Sequence, residues 1–246
     1  MEPVRILRSE GIEPVVFYAN SNIHPAEEYA HRLATLHEWA ATVGLEVVEG
    51  AYDPEAWEAT VGRIGEAAEA KHGVITNEEG DAEGASPART VREARCRACY
   101  RLRFEEAARY AREHGYSALG TTLSVSPYQY TRIIREELQR ACAREGIEAH
   151  FADYRPFYDE ATRRSREGGM YRQNYCGCRF SDAEAAAERE ERRAARRAAR
   201  EAELAAHADE RAAAEAERAR TRAEKQAYAD KQAKKRAILK ALREQR

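Results

Sequence analysis

Hydrophobic and polar positions alternate with two different periods along the first 180 residues. Glu2 to Glu10 has helical spacing, Pro14 to Tyr18 is a short apolar run rich in β-formers, and Pro25 to Val43 places Tyr29, Leu33, Leu36 and Ala40 on one helical face. Leu45 to Val48 is again strand-like, and Asp53-Pro54 opens a helix running through Trp57, Val61 and Ile64. A polar, glycine-containing stretch from Asn77 to Arg89 leads to a helix that is expected to begin near Cys96 and run to His114. Ala118 to Thr122 predicts a strand, Tyr130 to Arg144 a helix, and Glu148 to Ala152 another strand. Strands alternating with helices over short turns predict an α/β fold, a Rossmann-like parallel sheet with helices on both faces. The pattern opens on a helix, although such a helix normally crosses over from a preceding parallel strand. The two readings are a first strand upstream of Met1 and a first helix that is simply peripheral.

Composition changes at Ser181. The 66 residues beyond Phe180 are Ala, Glu and Arg, then Lys and Gln, with only Leu204, Tyr228, Ile238, Leu239 and Leu242 as large apolar side chains. The chain therefore divides into a domain over 1–180 and a charged tail over 181–246, helical or disordered, whose removal from Asp182 onward is expected to leave the domain intact. A net charge of −2 hides an asymmetry, because the tail holds 18 Lys and Arg against 14 Asp and Glu. Nine basic and three acidic residues fall between Arg222 and Arg246, a pattern that suits either a solvated helix face or a polyanion such as RNA. No run approaches the ~18 apolar residues of a membrane span, and Met1 to Gly11 has no signal-peptide core. A cytoplasmic location is expected, and there closely spaced cysteines read as metal-binding or catalytic.

Four of the five cysteines form tight pairs, Cys96-Arg97-Ala98-Cys99 and Cys176-Gly177-Cys178, while Cys142 stands alone in a helical stretch and is expected in the core. A C-x-x-C turn brings two thiolates to one metal or cluster. Placed at a helix N-terminus among Arg95, Arg97, Arg101 and Arg103, such a pair is expected to have lowered thiol pKa values. The flanking residues lack the Trp and Pro of a thioredoxin-like motif. A C-x-C segment can complete a four-cysteine zinc site or close into a strained, easily reduced disulfide. Two polar loops follow strands, Asn20 to Pro25 and Thr121 to Gln129, and in an open parallel sheet both would lie at the carboxyl ends where ligands bind. Ser126-Pro127 also reads as a helix start. No glycine-rich phosphate loop is present.

Taken together, FYANSNIHPAEEYAHRL, CRACYRLR, TTLSVSPYQ, DYRPFY and YRQNYCGCRFS resemble the epoxyqueuosine reductases of the QueH type, from about Pro14 to Ser181. The resemblance implies reduction of the epoxide of epoxyqueuosine, at the wobble position of tRNA, to an alkene with loss of water. It implies that Cys96 and Cys99 belong to a 4Fe-4S site with a second metal ion, an iron, beside it. It also implies that Cys176 and Cys178 are a redox-active pair or part of the metal centre, and that an electron donor is needed but no cobalamin. Asn20, Asn22, Tyr100, Arg103, Ser126, Tyr128, Gln129, Tyr171 and Arg172 are the candidate contacts to the modified base and the anticodon loop. The resemblance departs at the start, where the family has a strand running into an adjacent Cys-Cys pair and an Asp. Met1 is therefore expected to be an internal start. The alternatives are an inactive paralogue and, outside enzymes, a zinc-stapled RNA-binding adaptor.

Overall fold

The computed structural model describes residues 1–75 and 87–244, so the polar stretch read from Asn77 lies, up to Ser86, outside the described residues. Two compact units are present, Met1–Arg189 and Glu190–Arg246.

The first unit opens with α1 (Glu2–Ser9), β1 (Val16–Tyr18), α2 (Ala26–Val43) and β2 (Val47–Glu49). Gly44, at φ 60°, ends α2 and returns its N–H to the Ala40 carbonyl, so the chain reverses within a residue or two of the helix. β1 and β2 then pair in parallel, with Val16 opposite Val47. Asp53 caps α3 (Pro54–Trp57) by accepting the Ala56 N–H at 2.8 Å, as the Asp-Pro signal implies. A π-helical turn over Glu58–Gly62 leads directly into α4 (Arg63–His72).

The second half is built on α5 (Pro87–Glu113), which packs along α6 (Thr131–Glu145). Tyr100, Phe104 and Ala108 of α5 meet Ile133, Ile134, Leu138 and Ala141 of α6 in the main apolar core, and Cys142 is buried there. Glu137 is also buried on this interface, where Arg97 and Arg101 donate to its carboxylate at 2.7 and 2.9 Å and neutralise it. β3 (Ala118–Gly120) and β4 (Glu148–His150) flank α6 and pair in parallel, and α7 (Tyr158–Glu167) follows. The closing element, α8 (Arg179–Glu244), begins in this unit. No helix among the described residues is long and apolar enough to cross a membrane.

Helices, short strands and parallel pairing agree with the sequence reading, but the strands form two separate two-stranded sheets, so a single Rossmann-like sheet is not formed among the described residues. Each strand is three residues long, which leaves few ladder bonds to hold a wider sheet. α5 begins at Pro87, placing Cys96 about two and a half turns inside the helix, not at its N-terminus. Ser126-Pro127 starts a turn, with the Ser126 hydroxyl accepting the Tyr128 N–H at 3.3 Å, and the helix itself begins at Thr131.

The first turns of α8 belong to the compact unit that ends at Arg189. Phe180 is seated against the bare Cα of Gly65 and between the guanidinium groups of Arg95 and Arg179. Glu184, 3% exposed, receives both arms of the equally buried Arg95 at 2.7 and 2.9 Å. A chain ending at Arg189 is therefore expected to unfold within about 1 kcal/mol of the full chain's first unit. One ending at Ser181 strands the Arg95 charge and is expected to lose about 3–5 kcal/mol. Urea unfolding followed by tryptophan fluorescence separates the two, and equal stability of both truncations would show that the pair contributes nothing.

Candidate functional site

α5 presents Cys96, Cys99, Tyr100 and Arg103 at the i, i+3, i+4, i+7 spacing of one helical face. Arg97 and Arg101 turn the other way, onto Glu137, so only Arg95 and Arg103 of the four local arginines are left for the thiols. Opposite this face stands the start of α8. There the Ser181 hydroxyl donates to the Cys178 carbonyl at 2.7 Å and accepts the Gly177 N–H at 3.2 Å, closing the first turn. The His24 N–H donates to the Gly177 carbonyl at 2.9 Å, and Arg32 donates to the Cys176 carbonyl at 2.9 Å while lying 4.9 Å over the Tyr175 ring. Gly177 has φ +131°, and a Cβ there would come within 2.9 Å of Ile23 and 3.2 Å of the Asn22 amide, so the position requires glycine twice over.

These contacts bring the two cysteine pairs to one region. Cys99 and Cys178 share an apolar cluster with Trp57, Val61 and Phe180, and the Trp57 indole N–H donates to the Cys99 sulfur at 3.4 Å. The Arg95 guanidinium lies 4.0 Å from the Cys96 sulfur. All five cysteines are free thiols. Burial pushes Cys96 up to about 12, against the pull of Arg95 and Arg92, and pushes Cys99 up to about 12, against the pull of Arg103. Negative charge on Cys176 and Cys178 acts in the same direction as burial on both. The lowered thiol pKa expected from a helix N-terminus is therefore reversed, because that field fades within the first turn and burial dominates here.

Cys96 and Cys99 fit as two adjacent ligands, being neighbours on one face with cationic and N–H partners that would stabilise thiolates. Among the described residues no three His, Cys, Asp or Glu side chains are arranged to hold a metal ion, so a four-thiolate set would need ligands beyond this pair.

The candidate contacts fall into two groups. Arg103 donates to the Ala19 carbonyl and to the Asn20 amide oxygen, both at 2.6 Å, and Asn22 is 1% exposed beneath Gly177 with no hydrogen bond to its amide oxygen. Tyr100, also buried, donates to Gln129 at 2.5 Å. One turn of α5 thus holds both polar loops beside the thiols. Ser126 keeps to its own turn, Tyr128 is half exposed and edge-on to Tyr158, Tyr171 stacks on His31 and donates to Glu28, and Arg172 is exposed. Sequence reading missed the site roles of Trp57, Arg32 and Glu184. The first reads as a helix-face apolar residue, and the other two as surface charges in charged helices.

Compared with known proteins, residues 1–74 and 82–184 match the family model for epoxyqueuosine reductase QueH. The chain is 30% identical over 170 residues to an epoxyqueuosine reductase QueH of Thermotoga maritima, covering 67% of this chain and 77% of the relative. A protein of the same name from Dehalococcoides mccartyi is 28% identical over 178 residues, covering 72% and 83%, and one from Haemophilus influenzae is 27% identical over 194 residues, covering 77% and 70%. The chain belongs to the QueH family.

Raised thiol pKa values have a sign that can be tested. The unfolded chain releases the Cys96 and Cys99 protons near 9 and the folded chain only near 12, so the thiols favour the fold fully below pH 9 and lose that contribution between 9 and 12. The thermal midpoint of the metal-free chain is expected to fall more steeply from pH 9 to 11 than that of the Cys96→Ser, Cys99→Ser double variant. Parallel curves would contradict the burial of the two thiols.

Proposed function

We propose that this chain is an oxidoreductase that reduces epoxyqueuosine in tRNA to queuosine, the last step of queuosine formation. The observation that carries the reading is the meeting of the Cys96/Cys99 face with the Cys176/Cys178 segment in a chain matched by the QueH family over most of its first unit. Converting the epoxide to an alkene and water consumes two electrons and two protons. Joining the Cys176 and Cys178 thiols in one S–S bond releases two of each, so the pair matches the demand and requires an external electron donor to be reset. In this reading Cys96 and Cys99 would hold a 4Fe-4S cluster, which would supply electrons singly, and a second iron ion would supply Lewis acidity toward the epoxide oxygen. Cobalamin has no part in it. The reaction's place is the cytoplasm, where the tRNA substrate is found.

The chain's own residues position the base. Arg103 orients the Asn20 side chain, and the buried Asn22 oxygen is an acceptor in need of a donor, the kind of group that reads a base edge. Tyr100 fixes Gln129 on the opposite loop. Tyr128 and Arg172, being exposed, are placed to stack on or pair with the anticodon loop.

Protein that carries the upstream segment expected before Met1, purified without oxygen, is expected to be brown, to contain iron and acid-labile sulfide, and to reduce epoxyqueuosine-tRNA. Cys96→Ala and Cys99→Ala are each expected to abolish the visible absorbance and the turnover. Cys176→Ser and Cys178→Ser are expected to lose turnover and keep most of the iron, whereas loss of all iron would make those thiols structural ligands. Colourless protein with one zinc and no turnover would instead identify an RNA-binding adaptor.

A further inference from the structure

The second unit, Glu190–Arg246, lies beyond the family match and carries seventeen Lys and Arg against eleven Asp and Glu. Its charges are sorted by helical face. At about 100° per residue, Arg196, Arg200, Arg211, Arg218, Arg222 and Lys225 fall within an arc of about 80°. Glu203, Glu210, Glu217 and Glu224 repeat every seven residues and lie roughly 60° to 120° round from the centre of that arc, outside it. A helix stabilised by its own ion pairs would set acids three or four residues from its bases. Arg196, Arg222, Lys225 and Arg236 have no Asp or Glu at those distances in either direction. Among the described residues Glu190 pairs with Arg193, which shares the arc, and with Arg197, and His207 pairs with Glu210, whereas no ion pair is formed there by the six basic residues named on the arc.

We infer that this stripe of unpaired basic side chains on α8 is a docking surface for the phosphate backbone of RNA. The choice of RNA as the polyanion rests on the tRNA substrate proposed above. From Arg196 to Lys225 the stripe extends about 44 Å, long enough to meet many phosphates in succession. Aligned cations bind a polyanion by releasing its counterions, without reading sequence. An anionic membrane is the less suitable partner, because an interfacial helix buries a face of large apolar side chains, and here the described exposed ones are Leu204 and Tyr228. Alanine and polar or charged residues make up the rest of the described helix. The stripe thereby adds a sequence-independent grip on tRNA to the base contacts of the first unit.

The test compares two full-length variants that remove the same charge from the same helix. One carries Arg211→Gln, Arg218→Gln, Arg222→Gln and Lys225→Gln on the stripe, and the other carries Arg220→Gln, Lys231→Gln, Lys234→Gln and Lys235→Gln off it. Glutamine keeps helix propensity, and circular dichroism checks that both remain helical. With an unmodified tRNA transcript at about 0.1 M salt, the stripe variant is expected to bind roughly tenfold more weakly or worse. Its log Kd against log salt slope should fall by about 3 to 4, while the off-stripe variant stays within about threefold of the parent chain. Equal weakening by both variants, or weakening by neither, overturns the inference. So does stripe-dependent binding to phosphatidylglycerol vesicles that is tighter than binding to the transcript. Stripe-dependent RNA binding without any reduction of epoxyqueuosine-tRNA leaves the inference standing and removes the proposed reaction, whereas turnover with stripe-independent binding does the reverse.

Discussion

The distance between the two cysteine pairs is set by one buried ion pair. Arg95 and Glu184 are each 3% exposed and meet through two hydrogen bonds, with Arg92 within 3.2 Å of the same carboxylate and 3.4 Å of Glu188. Two charges withdrawn from water are tolerated only when each satisfies the other, and that condition fixes the first turns of α8 against α5 to within a hydrogen-bond length. Phe180, held in the notch that Gly65 leaves open, closes the same contact on its apolar side. Cys178 stands just ahead of the turns that carry Phe180 and Glu184, so its position relative to Cys96 and Cys99 follows from the electrostatics of residues outside the cysteine motifs.

The chemistry of the site rests on a competition that burial wins in the metal-free chain. Arg95 and Arg103 stand near Cys96 and Cys99 but do not bring their thiols toward ionisation at neutral pH. Protonated sulfur is the stable state of an apolar pocket, and a thiolate there requires a partner with more charge than a single guanidinium. The Trp57 N–H on the Cys99 sulfur is weak by comparison, yet it aims the sulfur and leaves the ring covering it from solvent. A pocket of this kind keeps both cysteines protonated, and so poor nucleophiles, at neutral pH.

Much of this was legible along the chain, and the failures share a cause. Helices and strands follow hydrophobic periodicity, and Asp53-Pro54 marks a cap that the structure forms, because those signals are local. The C-x-x-C motif was expected at a helix start, since charged residues preceding it give no apolar stripe by which to trace α5 back to Pro87. The first turns of α8 read as solvated tail for the same reason: Glu184 and Glu188 are indistinguishable in sequence from the glutamates that follow, and only a partner on α5 makes them interior. Two sheets were expected as one because strand length and edge pairing are tertiary properties. The motifs identified where the paired thiols are, while the residues that place them were hidden by their resemblance to surface.

Tyr100 and Arg103, one turn apart, tie the two polar loops to the same helix, and this restricts where the protein can change in length. One residue added between Cys96 and Arg103 rotates everything beyond it by about 100°, which would turn a loop contact or a thiol out of the site. The same insertion ahead of α5 moves none of them relative to one another. The interruption in the family match falls at residues 75–81, before α5 begins. A change of length in the approach to that helix leaves the site's internal spacing untouched, while the eight residues from Cys96 to Arg103 behave as a fixed ruler whose graduations are thiol, thiol, phenol and guanidinium.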